Sequence, residues 1–195
     1  DGRLLLLIKN ILIKVESEIE FNNSRQVLLY EKYNYYINNR KQDIVLDIGM
    51  NFGYTALYFM NKVHVEKVYG YEACEAKFRI AQDNLNLYLN NINKLEIFQY
   101  EIGEKGKKAS SVFEPIIKKY PDYNIVLKMD CEGEEYGILE DLLQSGILIK
   151  ITFIMLEWHY KGKDSILKCL KQAGFSWWCN DKEENMGLVY AYKGQ

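Results

Sequence analysis

DIVLDIGMNFGYTALYFM, residues 43 to 60, joins an apolar strand to a helix through a turn carrying Asp47, Gly49, Asn51 and Gly53. A glycine-containing turn at a helix start lets a ligand approach the backbone and offers it free N–H groups. A pyrophosphate would require G-x-G-x-x-G. The chain has G-x-N-x-G instead, two residues after an aspartate. A carboxylate at this turn repels pyrophosphate and suits a ligand bearing an ammonium or a sulfonium.

Around this junction, apolar runs of strand length alternate with helical patterns. The strand-like runs are DIVLDI (43–48), KVYGYE (67–72), KLEIFQY (94–100), NIVLKMD (124–130) and ITFIMLEW (151–158). Between them lie TALYFMNK (55–62), EAKFRIAQDNLNLYLNN (75–91), SSVF and PIIKKY (110–120), EEYGILEDLLQSG (134–146) and DSILKCLKQAG (164–174). Runs that are apolar throughout belong to a sheet covered on both faces. Strand–helix alternation then implies a parallel, doubly wound, Rossmann-like sheet in three α/β/α layers. FSWWCN (175–180) and MGLVYAYK (186–193) flank only the polar turn DKEEN, so the last strand should run antiparallel to its neighbour.

The 195 residues suit one compact core, and 48% hydrophobic with 27% charged residues is ordinary globular composition. A net charge of −2 gives no broad attraction to nucleic acid, so a small-molecule acceptor is expected rather than a polyanion. Cys74, Cys131, Cys169 and Cys179 show no metal-ligand spacing, and reduced thiols in a cytoplasmic protein are expected. LLLLIKNILIKV (4–15) is interrupted by Lys9 and Lys14 well short of a membrane span. Residues 1–40 are expected as a helical extension that caps the pocket or forms a homo-oligomer face, with residues 41–195 as the main domain.

In a wound sheet the ligand sits at the carboxyl ends of the strands. Those positions hold Asp47, Glu72, Glu101, Asp130 and Glu157, all acidic. Glu72 ends the second strand, the usual place for an acid that grips ribose hydroxyls. A nucleoside with a partly cationic arm fits both signals, and S-adenosylmethionine is such a ligand.

Four segments together carry a family resemblance. LDIGMNFGYTALYF (46–59), VYGYEACEAKFRIAQDNLN (68–86, including Asn84 and Asn86), LKMDCEGEEYGILEDL (127–142) and IMLEWHY (154–160) resemble the FkbM family of S-adenosylmethionine-dependent methyltransferases. Met50 stands where that family's first motif usually has alanine. The resemblance implies the class I fold, seven strands with the final one reversed. It implies that Asp47, Gly49, Asn51 and Gly53, with Tyr54, hold the methionine arm of the cofactor. Glu72 would bind ribose, and Ala73, Glu101 and Ile102 would line the adenine pocket. Asp130, Glu132 and Gly133 would lie beside the reactive methyl group, with Glu157 and His159 at the end of the fifth strand.

Methyl transfer to a hydroxyl needs an aligned nucleophile and a group that takes its proton. His159 and Glu132 are the candidate bases, with Asp130 beside them. These residues with Glu157 could also ligate magnesium or manganese, but hydrogen bonds among themselves and to their neighbours explain them without an ion, and no resident metal is expected. O-methylation of a sugar, glycolipid or secondary metabolite is the leading expectation. The alternatives are an RNA or protein methyltransferase on the same fold, a nicotinamide oxidoreductase, which lacks its G-x-G-x-x-G here, and a non-catalytic cofactor-binding module.

Overall fold

The computed structural model describes residues 2–194. An N-terminal hairpin, β1 (Leu4–Ile8) and β2 (Ile11–Val15), precedes the short helix α1 (Glu18–Ser24) and a π-helical turn at Arg25–Leu29. Then follow β3 (Asp43–Ile48), α2 (Tyr54–Met60), β4 (Val65–Glu72), α3 (Glu75–Leu85), β5 (Leu95–Gln99), α4 (Ala109–Lys119) and β6 (Asn124–Met129). The chain ends with α5 (Glu135–Gln144), β7 (Phe153–His159), α6 (Asp164–Gln172), β8 (Ser176–Glu183) and β9 (Met186–Tyr192).

The main sheet has seven strands in the order β5-β4-β3-β6-β7-β9-β8. The first five in that order pair in parallel, and β9 runs antiparallel to both β7 and β8. The chain winds outward from β3 through β4 to β5, then returns to place β6 on the other side of β3. That reversal leaves a crevice at the carboxyl ends of β3 and β6, where such sheets bind ligands.

Every residue of β3 and β6 is buried, as expected of strands covered on both faces. Ile44, Leu46, Ile125, Leu127, Ile154 and Leu156 face one core, which α4, α5 and α6 close. Val45, Val126 and Met155 face the other, closed by α2, α3 and the N-terminal segment. Alternation along a strand puts Asp47, Lys128 and Glu157 on that second face as well. Three adjacent strands thus carry polar side chains into a buried layer, and the site grows from this layer.

The N-terminal expectation is corrected. Residues 4–15 form a hairpin, not a helix, and turn through Lys9 and Asn10, whose φ values of 46° and 68° are left-handed. Two left-handed residues in a two-residue loop match the twist of the flanking strands. Ile11, Ile13 and Val15 are buried against the domain. The Lys14 amide donates to Asn84 Oδ1 at 2.7 Å, and Asn84 Nδ2 donates to the Phe52 carbonyl at 3.2 Å. Asn84 therefore ties the hairpin to the turn at 49–53. Among the described residues, no helix is long and apolar enough to cross a membrane.

Candidate functional site

The turn after β3 is shaped by three left-handed residues: Gly49 (φ 72°), Asn51 (φ 55°) and Gly53 (φ 83°). At Gly49 a Cβ would lie 1.9 Å from the Asp130 carbonyl oxygen, so only glycine lets the β3 and β6 ends meet. The Gly49 and Met50 amides donate to the Tyr71 carbonyl at 2.9 and 3.1 Å, fixing the turn to β4. Met50, the departure from the family motif, fits because Gly70 has no side chain: a Cβ there would meet Met50 Sδ at 2.6 Å.

Beside this turn lies a cavity of about 270 Å³. Of the expected cofactor residues, Gly49, Asn51, Glu72, Ala73, Glu101, Ile102 and Asp130 line it, and so does Glu132. Cys131 and Lys77, which carried no functional expectation, also line it. Glu72 accepts from the Asn51 amide (2.9 Å) and the Cys74 amide (2.8 Å), so the wall at the end of β4 is pre-formed. Asn51 Oδ1 is buried without a hydrogen-bond partner among the described residues. The rim beyond Ile102 is latched by Glu134, whose Oε2 accepts from the Glu104 amide at 2.8 Å.

Three expected cofactor residues lie elsewhere. Asp47 does not line the cavity; it is fully buried beneath the turn. The ammonium it faces belongs to the protein: Lys128 Nζ lies 2.9 Å from Asp47 Oδ1, and Thr55 donates to Oδ2 at 2.5 Å. Parallel register sets Asp47 directly beside Lys128, so the pair follows from strand pairing. Gly53 starts α2, where a Cβ would press on Ala81 at 3.0 Å. Tyr54 is buried and donates to the Lys14 carbonyl at 3.2 Å, facing the hairpin instead of the cavity.

Lys128 is fully buried and also donates to the Ile48 and Gly49 carbonyls at 3.1 and 2.5 Å. Burial alone would push its ammonium pKa down, but Asp47 and Asp130 outweigh that and raise it. Charge inside the apolar run NIVLKM is the sequence signal that marks Lys128, because a buried lysine requires a partner.

Asp130 sits between cations. Tyr33 donates to its Oδ2 at 2.6 Å, and Lys32 Nζ lies 3.5 Å from the same oxygen. Lys32 also pairs with Glu157, which is buried at the end of β7. Burial works to raise the Asp130 pKa, yet Lys128, Lys32 and the hydrogen bond from Tyr33 hold it below the usual carboxylate range. Lys32 and Tyr33 are the central residues of a turn closed by the Asn34 amide donating to the Glu31 carbonyl at 2.8 Å, and periodicity around them carried no sign of a site.

His159 and Glu132 come together at Asp130. His159 is buried, with Nε2 3.9 Å from Asp130 Oδ1 and Nδ1 3.1 Å from Glu135 Oε1. Glu135 also accepts from the Cys131 and Gly133 amides, both at 2.9 Å. It, and not Glu132, caps the turn into α5. Glu132 is exposed in a left-handed conformation (φ 56°), and its Oε2 accepts from Tyr160 at 3.2 Å. Asp130, Glu132 and His159 offer ligand atoms within 4.8 Å of one another. Lys32 and Tyr33 already partner Asp130, so nothing in the arrangement demands an ion.

Burial works to lower the His159 pKa, but the hydrogen bond and charge of Glu135, then Asp130 and Glu132, raise it above its ordinary value. A raised folded value means this pairing stabilises the fold below the unfolded pKa of about 6.5. That contribution is lost as pH rises through the folded value. Glu135→Gln is expected to move the His159 titration midpoint down, read from its imidazole resonances by NMR. An unmoved midpoint would show that Glu135 does not tune the ring.

No protein-family model and no curated protein matches the sequence. Solved structures do. Streptococcus pneumoniae Sp1610, named for tRNA (m1A22) methylation and determined with S-adenosyl-L-methionine, aligns with a TM-score of 0.56 at 16% identity, over 80% of this chain and 68% of that one. An rRNA methylase from Streptococcus thermophilus aligns with a TM-score of 0.55 at 16% identity, over 93% of this chain and 99% of that one. M. jannaschii TYW2 with AdoMet aligns with a TM-score of 0.56 at 10% identity, over 98% of this chain and 84% of that one. The fold is the one these solved structures share. The expected Rossmann-like α/β sheet with its reversed strand is therefore present in full.

Proposed function

We propose that the chain is an S-adenosylmethionine-dependent methyltransferase of FkbM type that methylates a hydroxyl of a small acceptor, such as a sugar, glycolipid or secondary metabolite. The observation that carries this is the cavity between the Gly49 turn and Glu72. Its chemistry fits the cofactor. Glu72 offers a carboxylate to ribose hydroxyls, Ala73 and Ile102 give apolar walls for adenine, and Asp130 is the ionised group available to the methionine ammonium. Asn51 Oδ1, buried without a partner, is a further acceptor for a bound donor. Asp47 contributes from below by holding Lys128 under the turn.

The cofactor supplies an electrophilic methyl group. The chain's part is to orient an acceptor hydroxyl and take its proton. Glu132, exposed at the rim, receives that proton in this reading, while His159 and Asp130 set the position of the hydroxyl. The charge of the lining supports this acceptor class. The cavity is lined by Glu72, Glu101, Asp130, Glu132 and Glu134 against Lys77 as its basic residue. Such a mouth repels a phosphodiester backbone and admits a neutral or cationic small molecule.

A second reading is an RNA substrate, favoured by the RNA methylases among the structural neighbours. The two separate by transfer of labelled methyl from S-adenosylmethionine to total RNA or to a panel of hydroxylated small molecules. The cofactor itself is tested by calorimetric titration with S-adenosylhomocysteine. Low-micromolar binding is expected, weakened at least tenfold in Glu72→Ala, roughly the loss of a charge-assisted hydrogen bond. No binding to the wild type, with NADH bound instead, would overturn the reading.

A further inference from the structure

The segment that follows the π-helical turn reaches the carboxyl ends of β6 and β7. Glu31 enters it in a left-handed conformation (φ 52°) and pairs with Lys9 of the hairpin turn at 3.1 Å. Lys32 then pairs with Glu157 and lies 3.5 Å from Asp130, while its carbonyl accepts from Tyr190 of β9. Tyr33 is fully buried, donates to Asp130 at 2.6 Å, and has Glu157 Oε2 3.4 Å from its hydroxyl. Its ring lies 4.8 Å from Lys32 Nζ and 5.3 Å from Lys128 Nζ. Two carboxylates from neighbouring strands thus share one ammonium and one phenol, all delivered by a segment outside the wound sheet.

We propose that Lys32 is a positioning residue of the site: through its bridge between Asp130 and Glu157 it keeps the Asp130 carboxylate ionised and aimed at the ligand ammonium. The proposal rests on the cofactor reading above, because it assigns Asp130 the ammonium contact. Two adjacent buried carboxylates without a shared cation hold a proton between them, and a protonated Asp130 is a poorer ammonium acceptor. The groups facing Asp130 are Lys128 on β6, Glu132 in the turn after it, Lys32 and Tyr33 on the N-terminal segment, and Glu157 and His159 on β7. His159 titrates in wild type and variant alike. A difference between their pH profiles therefore reports Lys32.

The test is the pH dependence of S-adenosylhomocysteine affinity, by calorimetry, for the wild type, Lys32→Met and Lys32→Arg. Methionine retains much of the apolar stem and removes the charge. From about pH 8 to about pH 5.5, the Lys32→Met affinity is expected to fall about tenfold more than that of the wild type, the decade that follows when a proton shared by Asp130 and Glu157 titrates about one unit above the lower limit. Lys32→Arg is expected to restore the wild-type profile. Tyr33→Phe, which deletes only the hydroxyl on Asp130, should move the profile the same way by less, and stands in if Lys32→Met does not fold. Profiles of Lys32→Met or Tyr33→Phe that overlay the wild type, with the ligand bound, would overturn the role of Lys32. A wild type that binds no S-adenosylhomocysteine at any pH would instead overturn the cofactor reading.

Discussion

Lys128→Met is expected to destabilise the fold by about 3–5 kcal/mol, the usual cost of stranding one partner of a buried ion pair. Lys128 is fully buried, pairs with Asp47 at 2.9 Å, and donates to the Ile48 and Gly49 carbonyls. Methionine keeps the volume and supplies no donor. Asp47 would be left buried with only Thr55. The measurement is the urea midpoint at constant slope. A second substitution, Asp47→Leu in the Lys128→Met background, is expected to recover much of the loss, since an apolar pair in such a place is often neutral. A single variant as stable as the wild type would mean that the pair does not support the turn. The sign of the pH dependence follows from the raised Lys128 pKa. The contribution is fully present below the unfolded lysine value of about 10.4 and is lost as pH rises through the higher folded value.

Gly49→Ala carries the second large effect. At φ 72°, alanine is strained, and its Cβ would lie 1.9 Å from the Asp130 carbonyl, a backbone atom that cannot swing aside. Strain and overpacking together should cost about 3 kcal/mol. The effect on ligand binding should be larger than the stability loss suggests, because the obstructed atom lies between two walls of the cavity. Binding of S-adenosylhomocysteine is expected to become undetectable in a variant that still unfolds cooperatively. An alanine variant that binds the ligand like the wild type would show that the turn can re-form without left-handed Gly49. Gly146→Ala is the matched control: its φ of 71° is similar, but a Cβ there meets nothing within 4 Å. It should carry the strain alone and leave binding unchanged.

Much of the fold was legible from residues 43 to 193. The mainly apolar runs at 43–48 and 124–129 became the fully buried β3 and β6, and the helix-free tail became the β8–β9 hairpin. Each of these signals is local. A strand covered on both faces needs apolar residues, or polar ones with partners, at every position, and a turn of five polar residues leaves no room for a crossover helix. The residues before 43 misled for the same reason. LLLLIKNILIKV is apolar enough for a helix or a strand pair, and only the left-handed Lys9–Asn10 turn and the docking on Asn84 decide between them.

From residue 43 onward the sequence by itself determined the order of strands and helices, the glycine turn after the first of these strands, and the carboxylates at strand ends. Only the tertiary structure decided what those carboxylates do. Asp47 looked like a ligand contact and is held by Lys128, its neighbour across the β3–β6 pairing. Asp130, expected beside the reactive methyl group, is held by Tyr33 from 97 residues away. Tyr54, next to the turn, points to the hairpin. Charge balance in a buried layer depends on which strands become neighbours and on what covers them. Topology sets both, through contacts that no local window of sequence contains.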